Sequence, residues 1–333
     1  MTKKILESPK ASQYPKEFLM GLYRTLLTER VFDENLVRLL HEGQVSGFYH
    51  SGQGQEAIAA GVCAALREDD YIFYDHRGCN QKIAKGVPLE RLYGDFLGRV
   101  IGTTGGLGAG IVHSAWPELG VLGQSGTLGA SFNIAVGTAM SAKIQKQDRV
   151  TVCFFGDGSA ARETFHGGMN WAGLWQLPVV FVLENNEYGI SLHYTKEHAL
   201  KEFIADRAEG YGIPSYVLDG NDVLMVYELS RELVERARAG AGPAFVEAMT
   251  WRMRGHFEGD PVTYIPEEVR QERNRQEPIG RFERKLLEEG MADQAALSAV
   301  RGEVEQAVHR AIDIATASPL PPRERILQGL LAD

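Results

Sequence analysis

The chain has 333 residues, 44% of them apolar and 24% charged, which is typical of a folded globular protein of one large or two modest domains. A formal net charge of −9 without a basic cluster argues against nucleic acid as a partner. The polar start of the chain is unlike a signal peptide, and no apolar run is long enough to cross a bilayer, so no membrane association is expected. Three widely spaced cysteines indicate a reducing compartment, so a cytoplasmic location is expected.

The first third of the chain predicts two helices and a glycine-rich region. Apolar residues recur at helical spacing over residues 15–42, and a second helix is predicted over residues 53–66. In the region that follows, residues 98–129, ten of 32 residues are glycine. Large apolar side chains are interspersed there, unlike in a flexible linker. This pattern predicts ordered loops in which the backbone approaches a ligand or another chain.

Strands and helices alternate in the middle of the chain. Helices are predicted at residues 130–144, 161–175 and 221–239, and strands at residues 149–155, 177–183 and 244–250. The strands are almost wholly apolar, as in parallel strands that are covered on both faces. This alternation predicts an α/β fold, a parallel sheet flanked by helices. We expect one integrated domain made of a helical N-terminal extension (residues 1–45), an α/β domain (residues 46–265) and a helical C-terminal segment (residues 266–333).

Polar side chains follow two of these strands at the point where each strand ends. Asp157 comes directly after the first strand, within Gly-Asp-Gly, and Asn186 closes a Glu-Asn-Asn segment after the second. Ligands of an open parallel sheet bind beyond the carboxyl ends of its strands, so both residues should lie at one edge. Carboxylate and amide oxygens suit Mg²⁺. Either segment alone is typical of a turn, but together they predict a magnesium site.

The residues around Asp157 also favour a diphosphate ligand. Gly156 and Gly158 have no side chain, so the backbone can approach the phosphates. The amides of Ser159 and Ala160 are expected to open the next helix and to face the anion.

The Gly-Asp-Gly and Asn-Asn segments resemble the thiamine diphosphate motif. Residues 156–191 are similar to the alpha subunit of the heterotetrameric 2-oxo acid and acetoin dehydrogenases, and the resemblance extends from about Phe18 to the C-terminus. It implies a thiamine diphosphate-binding fold. It also implies that Asp157, Asn186 and the backbone carbonyl of Tyr188 bind Mg²⁺.

Further segments extend the resemblance to other site residues. Gly126 and Leu128 lie in a GTLG segment that aligns with the family's GIVG, which implies that Leu128 wedges between the two rings of the cofactor. His50 lies in a GFYHSGQGQEA segment that resembles the family's GFxHxxxGQEA, and it would be catalytic. Arg77 would face the diphosphate with its planar fork of donors. His256 would contact the phosphate and act in catalysis. Taken alone, each histidine would favour a structural role, and Leu128 a place in the core.

The chain resembles one branch of the family more than the other, and it departs from the family pattern at several positions. The segment Gly-His-Phe-Glu-Gly-Asp resembles the acetoin branch more than the pyruvate branch, and Phe257 replaces the regulatory serine of animal pyruvate enzymes, which excludes phosphorylation there. His113 keeps the histidine of the family's KGGSMH loop. The departures from the family pattern are Cys79, residues 108–112, Arg162, Glu163 and Gly167. They leave the substrate and the acceptor open.

The resemblance implies a thiamine diphosphate- and Mg²⁺-dependent oxidoreductase component. It would cleave acetoin or a 2-oxo acid and pass the product unit to a lipoyl group on an acyltransferase. The chain holds only the diphosphate-binding half, and Glu56 of the GQEA segment is helical. We therefore expect a beta subunit to supply the activating glutamate in an α2β2 heterotetramer. Two alternatives are a ketol transferase of the same architecture, which moves a two-carbon unit, and a non-catalytic subunit that retains the fold.

Overall fold

The computed structural model describes residues 2–5, 7–108, 114–124, 126–199 and 202–327. Its strands are β1 (Lys3–Lys4), β2 (Tyr71–Tyr74), β3 (Val121–Gln124), β4 (Thr151–Gly156), β5 (Val179–Asn185), β6 (Tyr188–Gly189), β7 (Leu192–His193), β8 (Ser215–Asp219) and β9 (Ala244–Met249). Its α-helices are α1 (Lys16–His41), α2 (Glu56–Ala64), α3 (Cys79–Ala84), α4 (Leu89–Phe96), α5 (Ala130–Ile144), α6 (Glu163–Leu174), α7 (Tyr194–Glu197), α8 (Val223–Arg238), α9 (Glu267–Arg275), α10 (Pro278–Glu288) and α11 (Gln294–Ala317). Over these ranges, no helix combines the length and the apolar character that a membrane span requires.

A seven-stranded sheet forms the centre of the protein. Its strand order is β1-β8-β9-β5-β4-β2-β3, and each neighbouring pair is parallel. Strands β6 and β7 form a separate antiparallel pair. Parallel neighbours need long crossover connections, which the helices between the strands provide. The predicted α/β fold, a parallel sheet flanked by helices, is confirmed.

Both faces of the sheet are buried, because side chains alternate along each strand. In β4, Val152 and Phe154 join one apolar core, whereas Cys153 and Phe155 join the other. Helices α1, α2, α8 and α11 contribute to the first core, and α5 and α6 contribute to the second. The first core includes side chains from all three of the predicted segments of the chain.

Most of the predicted elements are present, but several short elements were not predicted and one helix start is wrong. Helix α5 has the predicted bounds, and strands β4, β5 and β9 lie within two residues of theirs. Strands β2, β3 and β8 were not predicted, because runs of four or five residues show too little periodicity. The expectation that Ser159 and Ala160 open an α-helix is wrong. They lie in a 3-10 turn (Asp157–Ala161), and the extended backbone of Arg162 separates this turn from α6.

Candidate functional site

The carboxyl ends of four neighbouring strands, β9, β5, β4 and β2, surround a cavity of about 270 Å³. Each strand is followed by a polar residue that lines it: Arg252 after β9, Asn186 after β5, Asp157 after β4 and Asp75 after β2. This is the edge at which open α/β sheets bind their ligands.

The cavity brings together most of the site residues predicted from the sequence. Those that line it are Arg77, Leu128, Gly156, Asp157, Gly158, Ser159, Asn186, Tyr188 and His256. Gly126 is exposed and does not line the cavity. His50 does not line it either, but its Nδ1 lies 2.6 Å from the carbonyl oxygen of His256. His113 lies outside the described residues.

Oxygen atoms from three predicted metal ligands converge on this cavity. Asp157 is only 3% exposed, and its Oδ2 has no hydrogen-bond partner among the described residues. Burial raises the pKa of its carboxyl to about 6. The amide of Asn186 donates to Gln55 Oε1 (2.8 Å), and its oxygen accepts from the backbone amide of Tyr188 (3.3 Å). The Tyr188 carbonyl accepts from Arg252 Nη1 (3.0 Å), which leaves it a second lone pair.

A hard divalent cation fits this set of donors. A buried carboxylate oxygen without a partner is costly, and a metal ion would offset the cost. All of the atoms that could bind the metal are oxygens. Mg²⁺ is usually held by one or two protein groups together with the phosphates of its ligand.

The two glycines beside Asp157 leave space in the cavity. At Gly156, φ is −91° and ψ is 171°, which any residue can adopt, and a Cβ there would meet no atom of the described residues within 4 Å. Among the same residues, a Cβ at Gly158 would meet only Gly189 Cα, at 3.8 Å. Neither the backbone nor the protein packing therefore requires glycine at Gly156, and its missing side chain leaves open volume for a ligand.

Two buried guanidinium groups line the cavity. Arg77 donates from Nη1 to the Ser51 carbonyl (2.6 Å) and from Nη2 to the His256 carbonyl (2.7 Å). Burial, together with the charge of Arg252, lowers the pKa of Arg77 to about 10. Both arginines are less than 9% exposed, so a bound diphosphate would relieve the repulsion between them.

Three histidines form a cluster beside Arg77. The ring of His76 lies 4.2 Å from that of His50, whose ring lies 4.8 Å from that of His256. Burial and the charge of Arg77 lower the pKa of His50 to about 4 and that of His256 to about 3. Burial also lowers the pKa of His76. The cluster is therefore uncharged at neutral pH, and each ring has one donor and one acceptor nitrogen.

Several cavity residues were not assigned a role from the sequence. Asp75 accepts a hydrogen bond from the Ser159 hydroxyl, and Glu184 accepts one from Gln81 Nε2 (2.9 Å). Burial raises the pKa of Asp75 to about 6 and that of Glu184 to about 8. Asp75 follows the unpredicted strand β2, and Arg252 follows β9, so the strand-end rule that found Asp157 also applies to them.

The residues that depart from the family pattern lie in different parts of the structure. Arg162 lines the cavity, whereas Cys79 is buried and does not. Gly167 is exposed on α6. In the loop at residues 108–112, only Gly108 is described. Of the described departures, Arg162 is therefore the one that can contact a ligand in the cavity.

The parallel sheet, and the glycines, acids and buried arginines at its carboxyl edge, define an α/β protein of the class that binds phosphorylated ligands beyond its strand ends. Residues 23–324 match the family model described as the dehydrogenase E1 component. The chain belongs to this family, and with it to the subunits of thiamine diphosphate-dependent oxidoreductases, as the resemblance implied.

Named relatives span nearly the whole chain. It is 39% identical over 313 residues to the alpha subunit of acetoin:2,6-dichlorophenolindophenol oxidoreductase of Bacillus subtilis, covering 94% of this chain and 93% of the relative. It is 35% identical to the subunit of the same name from Cupriavidus necator, with 98% of each chain covered. It is 33% identical to the pyruvate dehydrogenase E1 alpha subunit of Zymomonas mobilis, over 95% of this chain and 89% of the relative.

Proposed function

We propose that this chain is the alpha subunit of a thiamine diphosphate- and Mg²⁺-dependent dehydrogenase component that cleaves acetoin, with a short 2-oxo acid as the second candidate substrate. The observation that carries the proposal is the buried carboxylate oxygen of Asp157, which no described residue hydrogen-bonds, in a cavity that Asp157 shares with Asn186 and Arg77. That combination suits a metal ion and the diphosphate that the ion neutralises.

Each side of the cavity has a part in holding the cofactor. Asp157, Asn186 and the Tyr188 carbonyl would bind the metal, and Arg77 would donate hydrogen bonds to the diphosphate. The open volume at Gly156 would admit a phosphate oxygen. Leu128 would support the bent form of the cofactor from the cavity wall. When bound, the cofactor supplies an electron sink for cleavage of the bond next to a carbonyl group.

The neutral histidines would serve the reacting end of the site. His256 lines the cavity, and His50 is held against its backbone by a 2.6 Å hydrogen bond. Because burial and the charge of Arg77 keep both rings uncharged, each ring can donate a hydrogen bond to a developing alkoxide and can accept a proton without first losing one. His50 and His256 are therefore our candidates for catalytic residues.

The choice of acetoin rests on two observations. The relatives that are 39% and 35% identical are named for acetoin, and the pyruvate relative is 33% identical. The segment that begins at Gly255 also resembles the acetoin branch. The two acetoin relatives are named for a dye, 2,6-dichlorophenolindophenol, and we propose a lipoyl group on an acyltransferase as the acceptor of this enzyme.

A beta subunit is part of the proposal. Glu56, the glutamate of the GQEA segment, is fully buried, and it accepts hydrogen bonds from Arg30 Nε (2.6 Å) and from the Gly54 amide (2.9 Å). It is therefore engaged away from the cavity and cannot activate a cofactor there. We propose that a beta subunit supplies the glutamate that activates the cofactor, in an α2β2 assembly.

Reconstitution tests the proposal. The purified chain, supplied with thiamine diphosphate, Mg²⁺ and acetoin, should not reduce 2,6-dichlorophenolindophenol. Addition of its beta subunit should produce turnover, at a rate that saturates at an equimolar ratio of the two chains. Dye reduction by the alpha chain alone would contradict the shared site, and a folded complex that turns over neither acetoin nor a 2-oxo acid would contradict the proposed activity.

A further inference from the structure

Asp33 of α1 makes an unusual set of hydrogen bonds for a buried carboxylate. It is 1% exposed, and its Oδ1 accepts from Ser51 Oγ (2.8 Å) and Gln53 Nε2 (3.0 Å). Its Oδ2 accepts from the Tyr49 hydroxyl (2.7 Å) and the Gly52 amide (2.8 Å). An ionised carboxylate has about four acceptor positions, so one short loop fills them all.

This loop (residues 49–53) connects Asp33 to the cavity. His50 lies between Tyr49 and Ser51, both of which Asp33 holds, and its ring contacts His256. The backbone carbonyl of Ser51 accepts from Arg77 Nη1 at 2.6 Å. One carboxylate therefore fixes both the backbone that carries His50 and one of the two carbonyls that orient the guanidinium of Arg77.

A carboxylate is suited to this task for two reasons. Its charge strengthens all four hydrogen bonds, because a charged acceptor binds more strongly than a neutral one. Its charge also acts on Arg77, where it offsets part of the repulsion between Arg77 and Arg252. Asp33 itself does not line the cavity, so it cannot touch cofactor or substrate.

We propose that Asp33 is a positioning residue for the reaction: it holds loop 49–53 so that His50 and Arg77 keep the geometry that turnover requires. The inference rests on the proposed function. It assigns catalytic consequences to a side chain that lies outside the cavity, on the first long helix.

Asp33→Asn in the assembled enzyme tests this role. The amide keeps the volume of the carboxylate but presents an NH2 group to two of the four donors. We expect kcat with saturating cofactor to fall about 100-fold, the effect of an ångström-scale misplacement of catalytic groups. The KM for acetoin should stay within about twofold, because a misplaced His50 costs an interaction that is made in the transition state rather than in substrate binding. The Kd for thiamine diphosphate, measured by calorimetry, should rise as Arg77 loses its orientation.

Asp70→Asn is the matched control. Asp70 is also fully buried and accepts four hydrogen bonds, from both Nη atoms of Arg238 and from the amides of Arg67 and Val150. It lies at the opposite, amino ends of β2 and β4. Asp70→Asn should therefore lower the melting temperature while kcat per folded enzyme stays near that of the wild type.

Ser51→Ala keeps the inference testable if Asp33→Asn does not fold. It removes one donor to Asp33 and leaves the Ser51 carbonyl in place for Arg77, so it should show the same pattern with a smaller loss of kcat. If Asp33→Asn, or Ser51→Ala where Asp33→Asn does not fold, matches Asp70→Asn, with lower stability and unchanged kcat and cofactor Kd, the positioning role is overturned. A wild-type enzyme without turnover would instead count against the proposed function.

Discussion

The carboxylate of Asp157 provides the sharpest test of the site at the scale of one residue. Asp157→Ala removes the buried carboxylate oxygen that has no hydrogen-bond partner among the described residues. Without this oxygen the proposed Mg²⁺ ion loses a ligand, and the charge of the diphosphate is no longer neutralised. We expect calorimetry to detect no Mg²⁺-dependent binding of thiamine diphosphate. Glu197→Gln, at another acid that lines the cavity, is the control and should bind normally. Binding by Asp157→Ala that equals the wild type would refute the metal assignment.

His256→Ala separates catalysis from stability. The backbone amide of His256 donates to Asp260 Oδ2 (2.7 Å), and its carbonyl accepts from Arg77 Nη2, so both contacts survive loss of the ring. We expect turnover to fall about 100- to 10,000-fold, as for loss of a positioned acid or base. The melting temperature should change by only a few degrees, about what a contribution near 1 kcal/mol produces. A large fall in melting temperature with near-normal specific activity would indicate a structural histidine instead.

Single residues also show why part of the site could not be predicted. Asp157 and Asn186 follow long apolar strands, so the sequence alone located them at one edge. Gln55 and Glu184 line the cavity through contacts that join distant parts of the chain, such as the 2.8 Å hydrogen bond between Asn186 and Gln55. Both lie in segments that the sequence singled out, GQEA and Glu-Asn-Asn, but which member of each segment lines the cavity depends on tertiary packing.

At the scale of elements, the glycine at the end of β4 allows a test of whether the open volume beside it serves cofactor binding. Gly156→Ala adds a methyl group that meets no atom within 4 Å in the part of the chain that the structure describes, at a position that lines the cavity. We expect the melting temperature to stay within about 1–2 °C, because surface-like substitutions without a clash change stability little. The Kd for thiamine diphosphate should rise at least about tenfold, which corresponds to about 1.4 kcal/mol. Differential scanning calorimetry and titration calorimetry measure the two quantities.

Gly78→Ala is the contrasting substitution. There, an added Cβ would collide with the ring of Tyr74, which is fully buried in the first core. This variant should lose stability, whereas Gly156→Ala should lose cofactor affinity. If Gly156→Ala is destabilised as strongly as Gly78→Ala, the glycine after β4 serves the fold rather than the ligand.

Elements were predicted well where the sequence pattern is long. The α5 helix and the buried strands β4, β5 and β9 follow from composition and period, since parallel strands covered on both faces are continuous apolar runs. Strands β2 and β8 have only four and five residues, and β8 follows a proline. Their place in the sheet is fixed by pairing with β4 and β9, which no local pattern encodes. As a result, Asp75 and His76, which follow β2, were missed as site residues.

At the scale of the whole molecule, the fold constrains the charge of the substrate less than it constrains the cofactor site. Arg162, one of the departures from the family pattern, lines the cavity together with Arg77 and Arg252. These three guanidinium groups offer hydrogen-bond donors to an anionic ligand, in a cavity that four acidic residues also line. A phosphorylated substrate is therefore the alternative against which acetoin must be tested.

The last prediction concerns the substrate and the acceptor of the assembled enzyme. With beta subunit, cofactor and Mg²⁺, acetoin should support dye reduction at a higher kcat/KM than pyruvate or branched 2-oxo acids, because the named relatives of higher identity act on acetoin. Ketose phosphates, scored for two-carbon transfer to an aldehyde, complete the panel. Arg162→Gln is the matched variant: if Arg162 only borders the site, acetoin turnover should persist, because acetoin has no charge for the guanidinium to bind. Activity confined to ketose phosphates, and lost in Arg162→Gln, would replace the dehydrogenase proposal with that of a ketol transferase.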